Sequence, residues 1–399
     1  EVLLQELLKR LHTFKPLSES SRNVLKLASG TAGSQVLSLA VAPLLTRLYG
    51  PQSFGVFATF SSIFALLSVV SSMRYELAIV IPDDDDEAIS LVWLCIILVA
   101  ISTSVTSLLV ILFGGHLTSW LAQPGLNSFL WLLPFGMLLT GIYQPLNYWA
   151  IRKKQFGLLA QIKLNQTLLG VFTNVTAASL GTFGLLLGQI VRESTGNALM
   201  FRNIPLPKQH LRNLRPLLAS YSDVGAPSVL SGLINTTGSQ VPFLLIAAHF
   251  GAADLGVLSV TQTLSLVPVS IVAQSTSQVF LQKIASAKTS SEASRLFNST
   301  TTSLVKLALL SCLAFTCMSI FLPSILGHDW QKTRPILLCL MPLIYSQVAL
   351  VPLGVAFEAR RKLRPAIVSQ TSLAILKIFP LLLLLRYSDS GIIEATAIY

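Results

Sequence analysis

Apolar segments long enough to cross a lipid bilayer follow one another along almost the whole chain. A helix needs about 20 apolar residues to span the hydrocarbon core. The apolar segments lie at 24–46, 54–77, 88–113, 127–150, 158–180, 183–203, 221–248, 254–282, 297–322, 334–357 and 365–386. A twelfth segment begins near residue 391 and reaches the last residue, 399, too early to complete a crossing. We therefore predict an all-α membrane protein of twelve helices, the last of them truncated.

The small number of charged residues supports this prediction. Only 11% of the 399 residues are charged, whereas an average soluble domain has about a quarter. The formal net charge of +11 comes from short basic clusters between the apolar segments and not from one patch. Such clusters are typical of membrane proteins, so the sequence indicates no nucleic-acid partner.

Lysine and arginine residues are distributed unequally between the two sides of the predicted bundle. With the N-terminus inside the cell, 20 of the 28 fall in cytoplasmic segments and four in the opposite loops. Because cytoplasmic loops carry an excess of Lys and Arg, we place the N-terminus in the cytoplasm. The opposite loops are short, which leaves no room there for a soluble catalytic domain and argues against an enzyme.

A short motif recurs in the two halves of the chain. Residues 50–56 read GPQSFGV, and residues 251–257, 201 positions later, read GAADLGV. A GSQV motif precedes each of them, at 33–36 and 238–241. The spacing predicts two parallel halves of six helices each, because an even number of spans preserves orientation. The glycines also fit a purely structural role in tight turns and close helix packing.

These features predict four consecutive parts of the chain. Residues 1–22 form an amphipathic pattern and are expected to lie as a helix on the cytoplasmic face of the membrane. Residues 23–204 form the N-terminal lobe, 205–220 a cytoplasmic linker, and 221–399 the incomplete C-terminal lobe.

The motifs themselves resemble those of a known family. Residues 45–57 read LTRLYGPQSFGVF, and 73–80 read MRYELAIV. Residues 251–260 read GAADLGVLSV, and SQVF follows at 277–280. In order and spacing these motifs are similar to those of O-antigen and exopolysaccharide flippases of the multidrug/oligosaccharidyl-lipid/polysaccharide exporter superfamily. Gln240 departs from the family pattern, which often has a charged residue in the middle of span seven.

The resemblance implies a two-lobed bundle with a central cavity in the bacterial cytoplasmic (inner) membrane. The implied substrate is an oligosaccharide linked to undecaprenyl pyrophosphate, which passes from the inner to the outer leaflet. The implied product is a surface polysaccharide such as O-antigen, capsule or exopolysaccharide. The implied partners are membrane lipid, a polysaccharide polymerase and a chain-length regulator.

Two polar stripes run along spans five and six. Lys163 and Gln166 share a face of span five, and Gln189, Arg192 and Glu193 share a face of span six. A charge at the centre of a bilayer costs at least about 2.5–3.5 kcal/mol, so such residues face a cavity or a partner. We expect the stripes to line the cavity, with Lys163 and Arg192 attracting the pyrophosphate. Alternatively, Arg192 and Glu193 pair to lock helix packing, and Lys163 extends to the cytoplasmic interface.

Other polar residues in the spans are further candidates for substrate contact. Arg74 lies at the cytoplasmic end of span two, where it either receives the head group or anchors the helix. Gln35 and Gln240 occupy matching places in the two halves and would bond either sugar hydroxyls or neighbouring helices. Lys306 and Lys377 lie deep in spans nine and eleven.

No cofactor and no metal site is expected from the sequence. The acidic run at 83–87 falls in a cytoplasmic turn, where a solvated cluster of charges is the ordinary outcome. The main alternative function is a drug or cation antiporter of the same superfamily, which would require buried acidic residues. The spans contain four basic residues and one central acid, Glu193, and this balance favours an anionic substrate.

Overall fold

The structure, a computed structural model, describes residues 19–202, 204, 214–286 and 289–353, together with positions 372, 375, 378, 379, 381, 391–393 and 396. Most of the predicted amphipathic helix, part of the linker, Lys377 and most of the last two predicted spans lie outside the described residues. Residues 19–22 belong to the first described helix.

The described chain folds as an all-α bundle. The helices are α1 (Glu19–Leu48), α2 (Pro51–Val69), α3 (Asp85–Trp120), α4 (Leu132–Arg152), α5 (Phe156–Thr176), α6 (Thr182–Ser194), α7 (Asn197–Phe201), α8 (Leu214–Ser220), α9 (Ser222–Ser286), α10 (Ser290–Leu326), α11 (Thr333–Cys339) and α12 (Met341–Ala349). Short 3₁₀ helices lie at Tyr75–Val80, Pro124–Phe129, Ala178–Leu180 and His328–Trp330. Helix α9 bends at Gly251, whose φ of 83° lies in the left-handed region that glycine adopts without strain. The two arms of the helix, residues 222–250 and 252–286, are named α9a and α9b.

Three of the predicted spans are interrupted by breaks in the helical backbone, so the prediction of one continuous helix for each was wrong. Span two was expected to run as one helix to residue 77, but α2 ends at Val69 and is followed by Met73 and Arg74 at positive φ of 51° and 61°. Span six is divided at Gly196, where φ is 94°. Span ten is a bent pair, in which His328–Cys339 and Met341–Leu353 meet at 51°. Hydropathy measures how apolar the side chains of a segment are and contains no information about single backbone angles. It therefore does not reveal such breaks.

Long apolar helices give the bundle its membrane character. By length and composition, four helices in the described part of the chain are able to cross a membrane, namely Pro51–Val69, Asp85–Trp120, Ser222–Ser277 and Ser294–Leu326. The bent pair would be a fifth. Helix α3 exposes a row of large apolar side chains, and Ile111 is 79% exposed. An apolar surface of this size is stable against lipid and not against water.

Each half of the chain has buried clusters of its own. In the first half, one cluster packs α3, α4 and α5 around the 3₁₀ helix Tyr75–Val80, and a second joins α2, α4 and α6. A third cluster joins α9, α10, α11 and α12 in the second half. The two halves meet where Ala58 enters the third cluster and Leu244 and Ala252 enter the second.

Candidate functional site

A reciprocal glycine contact joins the two halves where α2 crosses α9b. A Cβ atom added to Gly55 would lie 1.6 Å from the carbonyl oxygen of Ala252, and one added to Gly256 would lie 1.9 Å from that of Pro51. Pro51 and Ala252 are themselves equivalent positions of the repeat. The contact is therefore the same on both sides of a pseudo-twofold axis, and only a residue without a side chain permits so close an approach.

A cavity of about 570 Å³ lies beside this crossing. Helices α1, α2, α5 and α6 line it from the first half, and both arms of α9 line it from the second. Its polar and charged lining residues are Ser38, Thr46, Ser61, Ser62, Thr167, Asn174, Gln189, Arg192, Gln240, Ser259, Gln262, Thr263 and Ser270. Equivalent positions of α2 and α9b, such as Ser61 and Gln262, face the same cavity.

Arg192 gives the cavity its charge. Among the lining residues in the described chain, it is the one with an ionised side chain, and half of that side chain is exposed. Its Nη2 atom lies 3.4 Å from Oε1 of Glu193, whose Oε2 accepts a hydrogen bond from Thr140 at 3.1 Å. Glu193 is thus directed towards Thr140 and Arg192, and the lining itself remains cationic.

Neutral amides line the cavity as well. Oε1 of Gln189 accepts a hydrogen bond from Ser61 Oγ at 3.0 Å, and Nε2 of Gln240 donates to Ser239 Oγ at 3.4 Å. Nε2 of Gln262 has no partner among the described residues although this side chain is only 8% exposed. An unsatisfied buried donor costs about 1–3 kcal/mol. Gln262 therefore lines the cavity, while its amide nitrogen is buried without a partner among the described residues.

Three predicted site residues, Lys163, Gln166 and Glu193, lie beside this cavity but outside its lining. Nζ of Lys163 sits 5.1 Å from the centroid of the Tyr143 ring, a cation–π geometry, and interacts electrostatically with Glu193. Gln166 is buried and donates to the carbonyl oxygen of Thr195 at 3.2 Å. Lys163, Gln166 and Glu193 thus form a polar layer that supports α6 from α5.

The other predicted residues are more scattered. Arg74 lies in the turn after α2, 4.0 Å from Oε1 of Glu76, and a Cβ on Gly232 of α9a would lie 2.7 Å from its Nη2. Gln35 is half-buried on α1, and Lys306 is exposed on α10. None of Arg74, Gln35 and Lys306 is among the lining residues found in the described chain, and their contact with substrate stays a prediction.

Of the nine predicted residues, Gln189, Arg192 and Gln240 line the cavity. Ser61 and Gln262 also line the cavity and were not predicted from the sequence. The repeat carried a usable signal, because the offset of 201 positions places Gln262 opposite Ser61 just as it places Gly256 opposite Gly55.

Hydrogen bonds and aromatic contacts close the bundle around the glycine crossing. The indole Nε1 of Trp330 donates to the carbonyl oxygen of Thr46 at 3.0 Å, and Thr46 Oγ1 donates to that of Leu326 at 3.1 Å. Phe54 meets the Trp330 ring edge-on, with centroids 5.5 Å apart. Arg47 Nε donates to the carbonyl oxygen of Ile325 at 3.3 Å. We call this contact between the halves the Trp330 clasp.

The acidic run at 83–87 is held by the basic turn after α4. Asp85 pairs with Arg152 at 3.0 Å and with Lys153. Arg152 also donates to the carbonyl oxygens of Ile79, Pro82 and Asp83. Among the described residues, no group of three His, Cys, Asp or Glu side chains is arranged to hold a metal ion.

Comparisons with known proteins agree with this architecture. The model of the polysaccharide biosynthesis protein family matches residues 44–335. A comparison with curated proteins found no sequence match.

Solved structures of transporters share the fold. An inward-facing multidrug resistance MATE family transporter of the MOP superfamily superposes with a TM-score of 0.64 at 14% identity, covering 92% of this chain and 90% of its own. An outward-facing structure of such a transporter gives 0.58 at 15% identity, with 94% and 90% covered. A eukaryotic MATE transporter gives 0.51 at 13% identity, with 94% and 92% covered. The resemblance predicted from the motifs is confirmed: the chain belongs to the polysaccharide biosynthesis protein family and has the fold of the MOP superfamily.

Proposed function

We propose that the protein moves an oligosaccharide linked to undecaprenyl pyrophosphate from the inner to the outer leaflet of the bacterial cytoplasmic membrane by alternating access. The observation that carries this proposal is the cavity beside the crossing of α2 and α9b, where Arg192 is the ionised lining residue within the described part of the chain. A cationic chamber between pseudo-symmetric halves suits an anionic head group. The family match, to proteins of polysaccharide biosynthesis, supports the same substrate class.

Arg192 would bind the pyrophosphate. A guanidinium group offers a planar fork of donors that binds two phosphate oxygens at once, and it stays ionised under all physiological conditions. Glu193, held by Thr140, lies beside the guanidinium and restricts its position. Lys163 behind the wall adds positive potential without occupying the cavity.

The halves would rock about this site. The N-terminal lobe (23–204) and the C-terminal lobe (221–399), joined by the linker 205–220, would separate at the Gly55–Gly256 crossing while the polyprenyl tail remains in lipid. With the N-terminus in the cytoplasm, the crossing lies on the external side. Release of the head group then requires the Trp330 clasp to open. A polymerase and a chain-length regulator would act on the exported product.

A drug or cation antiporter is the second candidate, because the solved structures that share the fold include multidrug transporters. Export of a cation would require an acidic group exposed in the cavity. The ionised lining residue in the described chain is instead Arg192, and Glu193 is engaged by Thr140 and Arg192. This charge favours the flippase.

Deletion of the gene in its host tests the proposal. Lipid-linked oligosaccharide should accumulate on the cytoplasmic leaflet and surface polysaccharide should be lost, and wild-type protein should restore both. Arg192→Ala should insert into the membrane without restoring export. Arg295→Ala, which removes an exposed arginine of α10, is the matched control and should restore it. Normal surface polysaccharide in the deletion strain would refute the flippase.

A further inference from the structure

We propose that Gln262, together with Gln189 and Ser61, forms a neutral subsite that binds hydroxyl groups of the glycan, separate from the phosphate-binding Arg192. This inference rests on the proposed function and assigns a second part of the same cavity. All three side chains line the cavity. None of them is ionisable, so they contribute hydrogen bonds without charge.

The state of Gln262 is the first argument. Its side chain is more than nine-tenths buried, at 8% exposure, and Nε2 has no partner among the described residues. Buried polar groups are normally hydrogen-bonded, and Nε2 has no bond to lose. Because Gln262 lines the cavity, rotation of its carboxamide about the last side-chain bond would bring this donor to a ligand that supplies an acceptor. A sugar hydroxyl is a suitable partner, since it both donates and accepts, as a carboxamide does.

The pseudo-symmetry of the site is the second argument. Gln262 on α9b and Ser61 on α2 occupy equivalent positions of the repeat. Ser61 Oγ donates to Gln189 Oε1 at 3.0 Å, so an amide is present at this level of both walls. Two amides on opposite halves of the repeat would contact a glycan from two sides.

The order of groups along α6 is the third argument. Gln189 and Arg192 both face the cavity and are three residues apart, which is a rise of about 4.5 Å along the helix axis. The first sugar of a lipid-linked glycan is attached directly to the pyrophosphate. An amide one turn from the guanidinium is therefore placed to contact that sugar while Arg192 holds the phosphates.

Binding to two lipids tests the subsite. The full chain in lipid nanodiscs is titrated with bare undecaprenyl pyrophosphate and with the lipid-linked oligosaccharide purified from the deletion strain. Gln262→Met preserves the length of the side chain and removes the amide. The matched control is Gln123→Met, which alters another buried glutamine without partners for its side-chain nitrogen and oxygen, outside the cavity lining. Ser61→Ala, which removes the bond to Gln189, is a second variant.

We expect Gln262→Met to weaken binding of the glycan-bearing lipid about threefold to tenfold and to leave binding of the bare lipid unchanged. Ser61→Ala should reduce the same preference, and Gln123→Met should reduce neither affinity. If wild-type protein binds both lipids and Gln262→Met keeps the full preference for the glycan, the subsite is wrong and the flippase stands. Equal loss for both lipids, or the same loss in Gln123→Met, would assign Gln262 a structural role and also refute the subsite. If wild-type protein binds neither lipid, or the deletion strain accumulates none, the proposed function itself fails.

Discussion

Gly55 and Gly256 each lie against a backbone carbonyl from the first turn of the other's helix. Added Cβ atoms would lie 1.6 Å from the Ala252 oxygen and 1.9 Å from the Pro51 oxygen, respectively. The two glycines are 201 positions apart in the sequence and equivalent in its repeat. The same motif is thus used twice to bring α2 and α9b together, and the cavity lies beside the point where they cross.

Alanine at either glycine should therefore destabilise the protein to a similar extent. We expect Gly55→Ala and Gly256→Ala each to lower the free energy of unfolding by about 1–3 kcal/mol or more, because the obstructing atoms are backbone and cannot move aside as side chains do. Thermal unfolding in detergent measures this. Gly115→Ala in α3, where an added Cβ meets nothing within 4 Å, is the control and should be neutral or slightly stabilising. Tolerance of alanine at both crossing positions would contradict the observed contact.

Lysine in place of Arg192 should preserve the charge of the cavity and still impair export. An ammonium group attracts phosphate as a point charge but lacks the planar fork that binds two oxygens. We expect export by Arg192→Lys to fall about tenfold or more, with Arg192→Ala lower still. Surface polysaccharide per cell, normalised to membrane-inserted protein, is the measurement. Equal export by the lysine variant and wild type would show that charge alone suffices.

The indole N–H of Trp330 should contribute to holding the two halves together. Phenylalanine at this position preserves an aromatic ring beside Phe54 but leaves the Thr46 carbonyl without this donor. We expect Trp330→Phe to lower the free energy of unfolding by about 1–3 kcal/mol, and Trp330→Ala by about 3–5 kcal/mol because the side chain is 1% exposed. Trp120→Phe, at a residue that is 59% exposed, should have little effect. If both tryptophans tolerate phenylalanine equally, the clasp does not depend on this hydrogen bond.

The adjacent basic residues Arg152 and Lys153 should differ in their effect on stability. The Arg152 side chain is 12% exposed and donates to three backbone carbonyls as well as to Asp85. Lys153 is more exposed, at 37%, and pairs with Asp85 at the surface. We expect Arg152→Ala to cost about 2–3 kcal/mol and Lys153→Ala less than about 1 kcal/mol. Unfolding should be measured at low salt and at 1 M salt. The cost of Lys153→Ala should be screened at 1 M salt, and the cost of Arg152→Ala should be mostly retained.

The fold class was predictable because it depends on a large, distributed signal. Apolar segments repeated along the chain identify helices that face lipid, and the recurrence of the 50–56 motif at 251–257 identifies the two halves. Arg192 and Gln189 were predictable members of the cavity, since polar groups on one face of an apolar helix need a polar environment. These inferences require only the local pattern of each helix.

Which of the other predicted residues line the cavity depended on how the helices pack against one another. Lys163 and Gln189 both belong to polar stripes on apolar helices, yet Lys163 packs over Tyr143 outside the cavity lining and Gln189 lines the cavity. Lys306 lies within an apolar segment, as Arg192 does, and is exposed on α10. The face that a helix turns inward is set by its crossing angle and by its neighbours, and periodicity alone does not contain this information.

The sequence by itself determined that this chain is a helical membrane bundle of two related halves, because transfer from water to lipid is governed by composition over about 20 residues. Only the tertiary structure decided that Gln262 lines the cavity and that α2 ends at Val69 before the turn at Met73 and Arg74. Those features arise where residues distant in sequence, such as Gly55 and Ala252, come within van der Waals contact. Steric fit between helices depends on contacts that exist only in the folded chain, so the sequence pattern of a single helix does not reveal it.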